Sequence, residues 1–204
     1  MTRAFAAGMA LCAFAVFARA QDDRNVEKIQ TLLAKPDTLC GHFEQAKTLV
    51  GLKKPVISSG RFCVVAGKGV LWRTLVPFPA SVRLTRDEIV ESNGDQVTNR
   101  LSTREDPGVR VVTELLFSLL AGDVKRLSTS FDVGVKFAGK NWQAALTPRD
   151  AGMRRVVGRI ELNGGEYVSS ITIREAGGDR TDITFSAIAT GQGAMQPGEA
   201  KQFG

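Results

Sequence analysis

Among 204 residues the chain has a single histidine and three cysteines. One histidine with so few thiols cannot assemble a metal cluster at ligand spacing, so no metal or cofactor is expected. The histidine, His42, lies two residues from Cys40, and a thiol–imidazole pair could in principle form a nucleophile. No orienting acid or amide stands at a recognisable spacing, and Cys40 has a ready oxidation partner. Catalysis is therefore not expected. The formal charge is +6, but no dense Lys/Arg stripe interleaved with aromatics is present, which excludes a nucleic-acid reading. Gly67-Lys68-Gly69 has no helix after it and reads as a hairpin turn rather than a phosphate cradle. The acid pairs Asp22-Asp23 and Glu105-Asp106 sit at helix starts, where capping accounts for them.

Long apolar runs are also missing. The one candidate, residues 4–17, is about 14 residues long against the ~20 a spanning helix needs. It follows Met1-Thr2-Arg3 and precedes Ala18-Arg19-Ala20, the order of a secretory leader cut after residue 20. Cys12 lies within the apolar run, without the small residues of a lipidation site, so no lipid anchor is expected. Removal of residues 1–20 takes Arg3 and Arg19, lowers the charge from +6 to +4 and leaves 184 residues, enough for one domain. The mature chain is expected to be soluble, exported to the periplasm and monomeric. Cys40 and Cys63 remain. In an exported protein they are expected to form a disulfide, the alternative being two separate buried thiols.

What the chain does contain is alternation. Residues 40–84 hold four short runs rich in β-branched and aromatic residues, separated by Leu52-Lys53-Lys54-Pro55, Gly67-Lys68-Gly69 and Pro77-Phe78-Pro79. Phe62 and Val64 share one face of the second run, Val70 and Trp72 one face of the third, and Val82 and Leu84 one face of the fourth. Strands are expected over 41–50, 57–65, 70–75, 81–85 and around 88–91, with Asn93-Gly94-Asp95 as a hairpin turn. Residues 96–104 read as strand or loop. Upstream, Val26, Ile29, Leu32 and Leu33 recur at helical spacing within 21–37, and Pro36 stops that helix.

A second helix is expected over 107–122. It starts at Pro107, stops at Gly122, and carries Val111, Val112, Leu115, Leu116, Leu119 and Leu120. It is too short to span a membrane and too apolar to lie exposed, so it is either a core helix or a lid over an apolar cavity. Alternation then resumes at Phe131, Val133, Val135 and Phe137, and continues through Trp142, Ala144 and Leu146. Further strands are expected over 156–162, 167–174 and 181–189, with Ile171 and Ile173 on one face. The Gly-rich residues 191–204 read as a flexible tail. Nine to eleven antiparallel strands with two or three helices imply an α+β fold: an unclosed antiparallel β-barrel with a helical lid over an apolar concave face. One domain is expected over 21–190. That face is either solid core or a pocket for acyl chains.

Phe43-Glu44-Gln45, Ser59-Gly60-Arg61-Phe62 and Gly69-Val70-Leu71-Trp72 before Pro77-Phe78 resemble motifs of the LolA family of periplasmic lipoprotein carriers. Leu146-Thr147-Pro148, Ile160-Glu161-Leu162 and Thr184-Phe185 follow in the family's order, and the resemblance spans residues 24–190. It implies a carrier that takes acylated cargo, a lipoprotein or other lipid, from an inner-membrane donor to an outer-membrane acceptor. The cavity it implies is lined by Phe43, Phe62, Val64, Trp72, Val82, Leu84, Leu115, Leu116, Leu119, Val133, Val135, Ile171 and Ile173. Trp72 matches the tryptophan of the family's third-strand motif. The arginine that the family carries upstream of it, to gate the lid, is replaced here by Ala66-Gly67-Lys68-Gly69, with Lys68 an imperfect stand-in. That change and the cysteine pair mark a divergent member, resembling companions of lipid or polyene biosynthesis systems. A lipid-sensing or protein-interaction module on the same fold is the alternative.

Overall fold

The computed structural model describes residues 24–94, 96–102, 117–118 and 124–203. The leader at 1–20 lies outside the described residues. So does the apolar helix expected over 107–122, with Leu115, Leu116 and Leu119, except for Phe117 and Ser118, which are helical.

Eleven strands follow an N-terminal helix over residues 24–32. They are β1 (Thr38–Thr48), β2 (Val56–Val65), β3 (Gly69–Val76), β4 (Ala80–Leu84), β5 (Glu88–Asn93), β6 (Gln96–Ser102), β7 (Phe131–Ala138), β8 (Asn141–Pro148), β9 (Val157–Gly164), β10 (Val168–Glu175) and β11 (Arg180–Thr190). All join one antiparallel sheet in the order β6-β5-β4-β3-β2-β1-β11-β10-β9-β8-β7. β6 and β7 are its two edges and do not pair with each other, so the barrel stays open.

Alternation in the sequence becomes rows across the sheet. Leu39, Val64, Val70, Leu84, Ile89 and Leu101 stand in register from β1 to β6. Val135, Ala144, Leu162, Ile171 and Ile183 do the same from β7 to β11. Every one of these side chains belongs to the apolar core or packs against it. Because successive side chains alternate between faces, one register places all of them on one side. The N-terminal helix adds Val26 and Ile29, and the residue after it adds Leu33, all buried in the same core.

Two expectations change. β1 starts at Thr38, three residues before the expected Gly41, because Thr38 to Cys40 continue the ladder opposite Val65 to Cys63. The C-terminal residues, expected to be a flexible tail, fold back in two 3-10 turns (Gln192–Ala194 and Lys201–Phe203) around the helix Pro197–Ala200. Gln196 and Glu199 form a capping box at that helix, with Pro197 in its first turn. Glu199 is only 1% exposed, and its carboxylate accepts a hydrogen bond from Arg61 Nε at 3.0 Å. Residues 96–102, open between strand and loop, are strand.

Cys40 and Cys63 face each other across β1 and β2 with Cα atoms 4.0 Å apart, and they are bonded. Glu199 Oε2 lies 3.3 Å from Cys63 Sγ, a contact rather than a hydrogen bond because a disulfide sulfur carries no proton. On the same outer surface Asp182 accepts from Thr172 Oγ1 and Arg180 Nη2, each at 2.7 Å. Burial pushes the Asp182 carboxyl up, but these bonds, with the Arg180 and Arg174 charges, outweigh it and hold the group below the usual carboxylate range.

Thiol titration of oxidised, unfolded protein recovered after export is expected to find no free Cys40 or Cys63 thiol. The Cys40→Ala/Cys63→Ala variant should lose about 3 kcal/mol of stability in urea, from a loop of 23 residues in sequence separation. Glu199→Ala leaves Arg61 with an unmatched charge, and should cost about 3 kcal/mol and expose the C-terminal residues to protease.

Candidate functional site

The concave face carries a cluster of four rings: Phe43 of β1, Phe62 of β2, Trp72 of β3 and Phe185 of β11. Phe43 and Trp72 stack with centroids 3.8 Å apart and planes at 27°. Phe62 meets Phe185 at 4.9 Å and 60°. Trp72 stands edge-on to Phe185 at 6.1 Å and 86°, and 6.2 Å from Phe62. Offset and edge-on geometries of this kind add stabilisation beyond area burial.

Two glycines make room for the rings. β1 and β3 lie on either side of β2, yet Phe43 and Trp72 touch. The register partner of Phe43 on β2 is Gly60, which has no side chain to come between them. Gly60 also sits at a bulge where a Cβ would fall 1.8 Å from the Arg73 carbonyl oxygen. The partner of Phe62 on β1 is Gly41, where a Cβ would approach the Phe62 ring to 2.9 Å.

The cluster is asymmetric in exposure. Phe43, Phe62 and Phe185 are buried, whereas Trp72 is half-buried and packs against the core. Around it the other expected lining residues fall on the same face. Val64, Leu84, Val133 and Ile171 are buried in the core; Val82, Val135 and Ile173 are half-buried against it. Thus all ten of the expected cavity residues within the described chain share one apolar face. The remaining three, Leu115, Leu116 and Leu119, lie outside the described residues. Phe185 was missed. Its alternation with Ile183 put it on an apolar face, but nothing local indicated that β11 lies beside β1.

The opposite face carries the disulfide and a set of polar side chains. Cys40 is in the disulfide, and His42 Nε2 lies 3.2 Å from Arg61 Nη1, so the thiol–imidazole pair does not form. Cys40, Cys63 and Glu199 bring their ligand atoms within 4.8 Å of one another, but two of those atoms are disulfide sulfurs and offer no thiolate. Lys68 is exposed in the β2–β3 turn. A hollow of about 460 Å³ lies away from the rings, between the β7–β8 and β9–β10 turns, and mixes Lys136, Asn141 and Gln143 with Phe137 and Trp142. An apolar surface ending in a half-exposed indole can hold a hydrocarbon chain; it offers no group that moves a proton.

Comparison with known proteins places the chain among carriers. Residues 34–197 match the family described as outer membrane lipoprotein carrier protein LolA. An outer-membrane lipoprotein carrier protein of Pseudomonas entomophila (strain L48) is 25% identical over 183 residues, covering 88% of this chain and 84% of that protein. Its counterpart in Pseudomonas fluorescens (strain Pf0-1) is 26% identical over 172 residues, covering 82% and 79%. Among solved structures, a LolA superfamily protein of Nitrosomonas europaea, NE2245, superposes with a TM-score of 0.49 at 10% identity, covering 90% of this chain and 97% of that one.

Gly60→Val should break the Phe43–Trp72 stack and destabilise the fold by at least 2 kcal/mol, since the bulge leaves the side chain no space. Near-ultraviolet dichroism of the tryptophan bands in a Trp142→Phe background would report the lost stack.

Proposed function

The chain belongs to the LolA family of outer membrane lipoprotein carrier proteins, and from that premise we propose that it holds the acyl chains of its cargo against the Trp72 cluster and carries them across the periplasm. The supporting observation is Trp72, stacked on the buried Phe43 ring yet itself only half-buried on the apolar face. Burial of each methylene of an acyl chain contributes about 0.8 kcal/mol. A full chain would then bind too tightly to be released, so release needs an opposing cost. The apolar segment at 107–122 supplies it in this reading, as a lid that closes when the cavity is empty. Cargo is received from an inner-membrane donor and passed to an outer-membrane acceptor. A lipoprotein is the cargo that family membership favours; the missing upstream arginine and the extra disulfide leave other acylated lipids in range.

Among the described residues no helix is long and apolar enough to cross a membrane.

Native mass spectrometry of protein recovered from its own periplasm, followed by lipid extraction, is expected to find a bound lipoprotein or lipid. Long-chain acyl probes should shift Trp72 emission in a Trp142→Phe background, and Trp72→Ala should weaken their binding roughly tenfold. Protein that is empty, with an emission that ignores the probes, would make the concave face solid core and favour the interaction module instead.

A further inference from the structure

Nine large apolar side chains stand exposed among the described residues, and all nine lie at one end of the sheet. Val50, Leu52, Val56 and Ile57 occupy the β1–β2 connection and the start of β2; Leu75, Val76 and Phe78 occupy the end of β3 and the connection to β4. The ladder puts these two connections side by side, since Val76 pairs with Ser59 near the start of β2. Val97 follows the β5–β6 turn, and β5 ends beside the start of β4. Val156 precedes β9, whose first residue pairs with Glu175 beside the β10–β11 turn. Phe78 is 80% exposed and Val50 70%. At the opposite end, with its Gly67-Lys68, Arg86-Asp87 and Gly139-Lys140 turns, no such side chain appears among the described residues.

We propose that this rim docks directly onto an anionic lipid bilayer. Three observations select that occupant. The first is shape: the apolar groups sit at connections along an edge. From β6 to β9 the edge runs about 38 Å at roughly 4.8 Å per strand, which suits an extended flat surface better than a groove. The second is charge: Lys53 and Lys54 lie between Leu52 and Val56, and Arg154 and Arg155 directly precede Val156. All four are exposed, and none forms an ion pair among the described residues. The third is the state of the neighbouring carboxylates. Asp179 accepts from Val50 N, Asp150 from Met153 N, Asp182 from Arg180, and Glu175 pairs with Lys47. Asp182 and Glu175 are paired with cations, whereas Asp179 and Asp150 are held by backbone N–H groups and keep their charge; the four exposed cations outnumber these two acids, so the rim carries a surplus of positive charge beside its apolar tips. Apolar side chains enter the acyl boundary while adjacent ammonium groups stay among anionic headgroups. This contact is separate from cargo binding on the concave face.

The test is co-sedimentation of the exported protein with phosphatidylcholine vesicles and with vesicles that also carry phosphatidylglycerol. Parent and variants share the same N-terminus, so any contribution from residues 1–20 cancels. The parent is expected to bind the anionic vesicles and to be released by salt. Leu52→Ser/Phe78→Ser and Lys53→Glu/Lys54→Glu should each lower the partition coefficient roughly tenfold or more, with far-ultraviolet dichroism unchanged. A parent that ignores anionic vesicles, or double variants that bind like the parent, would overturn the proposal and turn the rim over to a protein partner. Trp72 emission with acyl probes, read on the same samples, separates the two readings: vesicle binding can fail while the probe response persists, and then only the docking proposal falls.

Discussion

The pairing of β1 with β11 holds the molecule together as one sheet. Every other ladder joins strands that are neighbours in sequence, whereas this one joins Thr48 to Arg180 and Leu39 to Thr190. It fuses the β1–β6 meander with the β7–β11 meander. The entropic cost of closing so long a loop grows only slowly with its length, so a continuous ladder can offset it. Asp179 adds a side-chain acceptor for Val50 N at the junction. The same register sets Phe185 opposite Phe43, and hence decides that the ring cluster exists at all.

A sheet divides chemistry between its two faces, and this one divides it sharply. The concave side carries the ring cluster and the apolar rows. The outer side carries the disulfide, the Arg61–Glu199 pair and the Thr172–Asp182–Arg180 hydrogen bonds. Breaking the buried Arg61–Glu199 contact would leave a charge stranded, which is why so short a C-terminal segment stays folded against the sheet. With its sulfurs oxidised and its carboxylates engaged, the outer side acts as a brace. The rings on the other side are supported by that brace without being in contact with it.

Carriage of lipid imposes two demands that differ in kind. The chains must be held away from water, and the holder must still give them up. In the proposed function the stacked indole and the apolar rows would meet the first through area and dispersion. The second requires a competing state of the same surface, which is the part assigned to the lid. A rim of apolar tips and basic side chains would add a third element, bringing one end of the sheet to a surface where lipid can be exchanged.

Much of this was legible in the residues alone. Period-two alternation located the strands, because one buried face is enough to impose it. Turn chemistry at Gly67-Lys68-Gly69 and Asn93-Gly94 located the hairpins. The ordered motifs around Trp72 indicated a carrier-like fold, and the cysteine pair a divergence within it. The tertiary structure alone decided which strand lies beside which across the chain. It placed Phe185 in the cluster and gave Gly60 its role between Phe43 and Trp72. It paired Glu199 with Arg61, 138 residues away, and gathered nine apolar side chains onto one rim. The physical reason is range: alternation and turns are satisfied within a few residues, while register between distant strands is settled only when the whole apolar face is buried together.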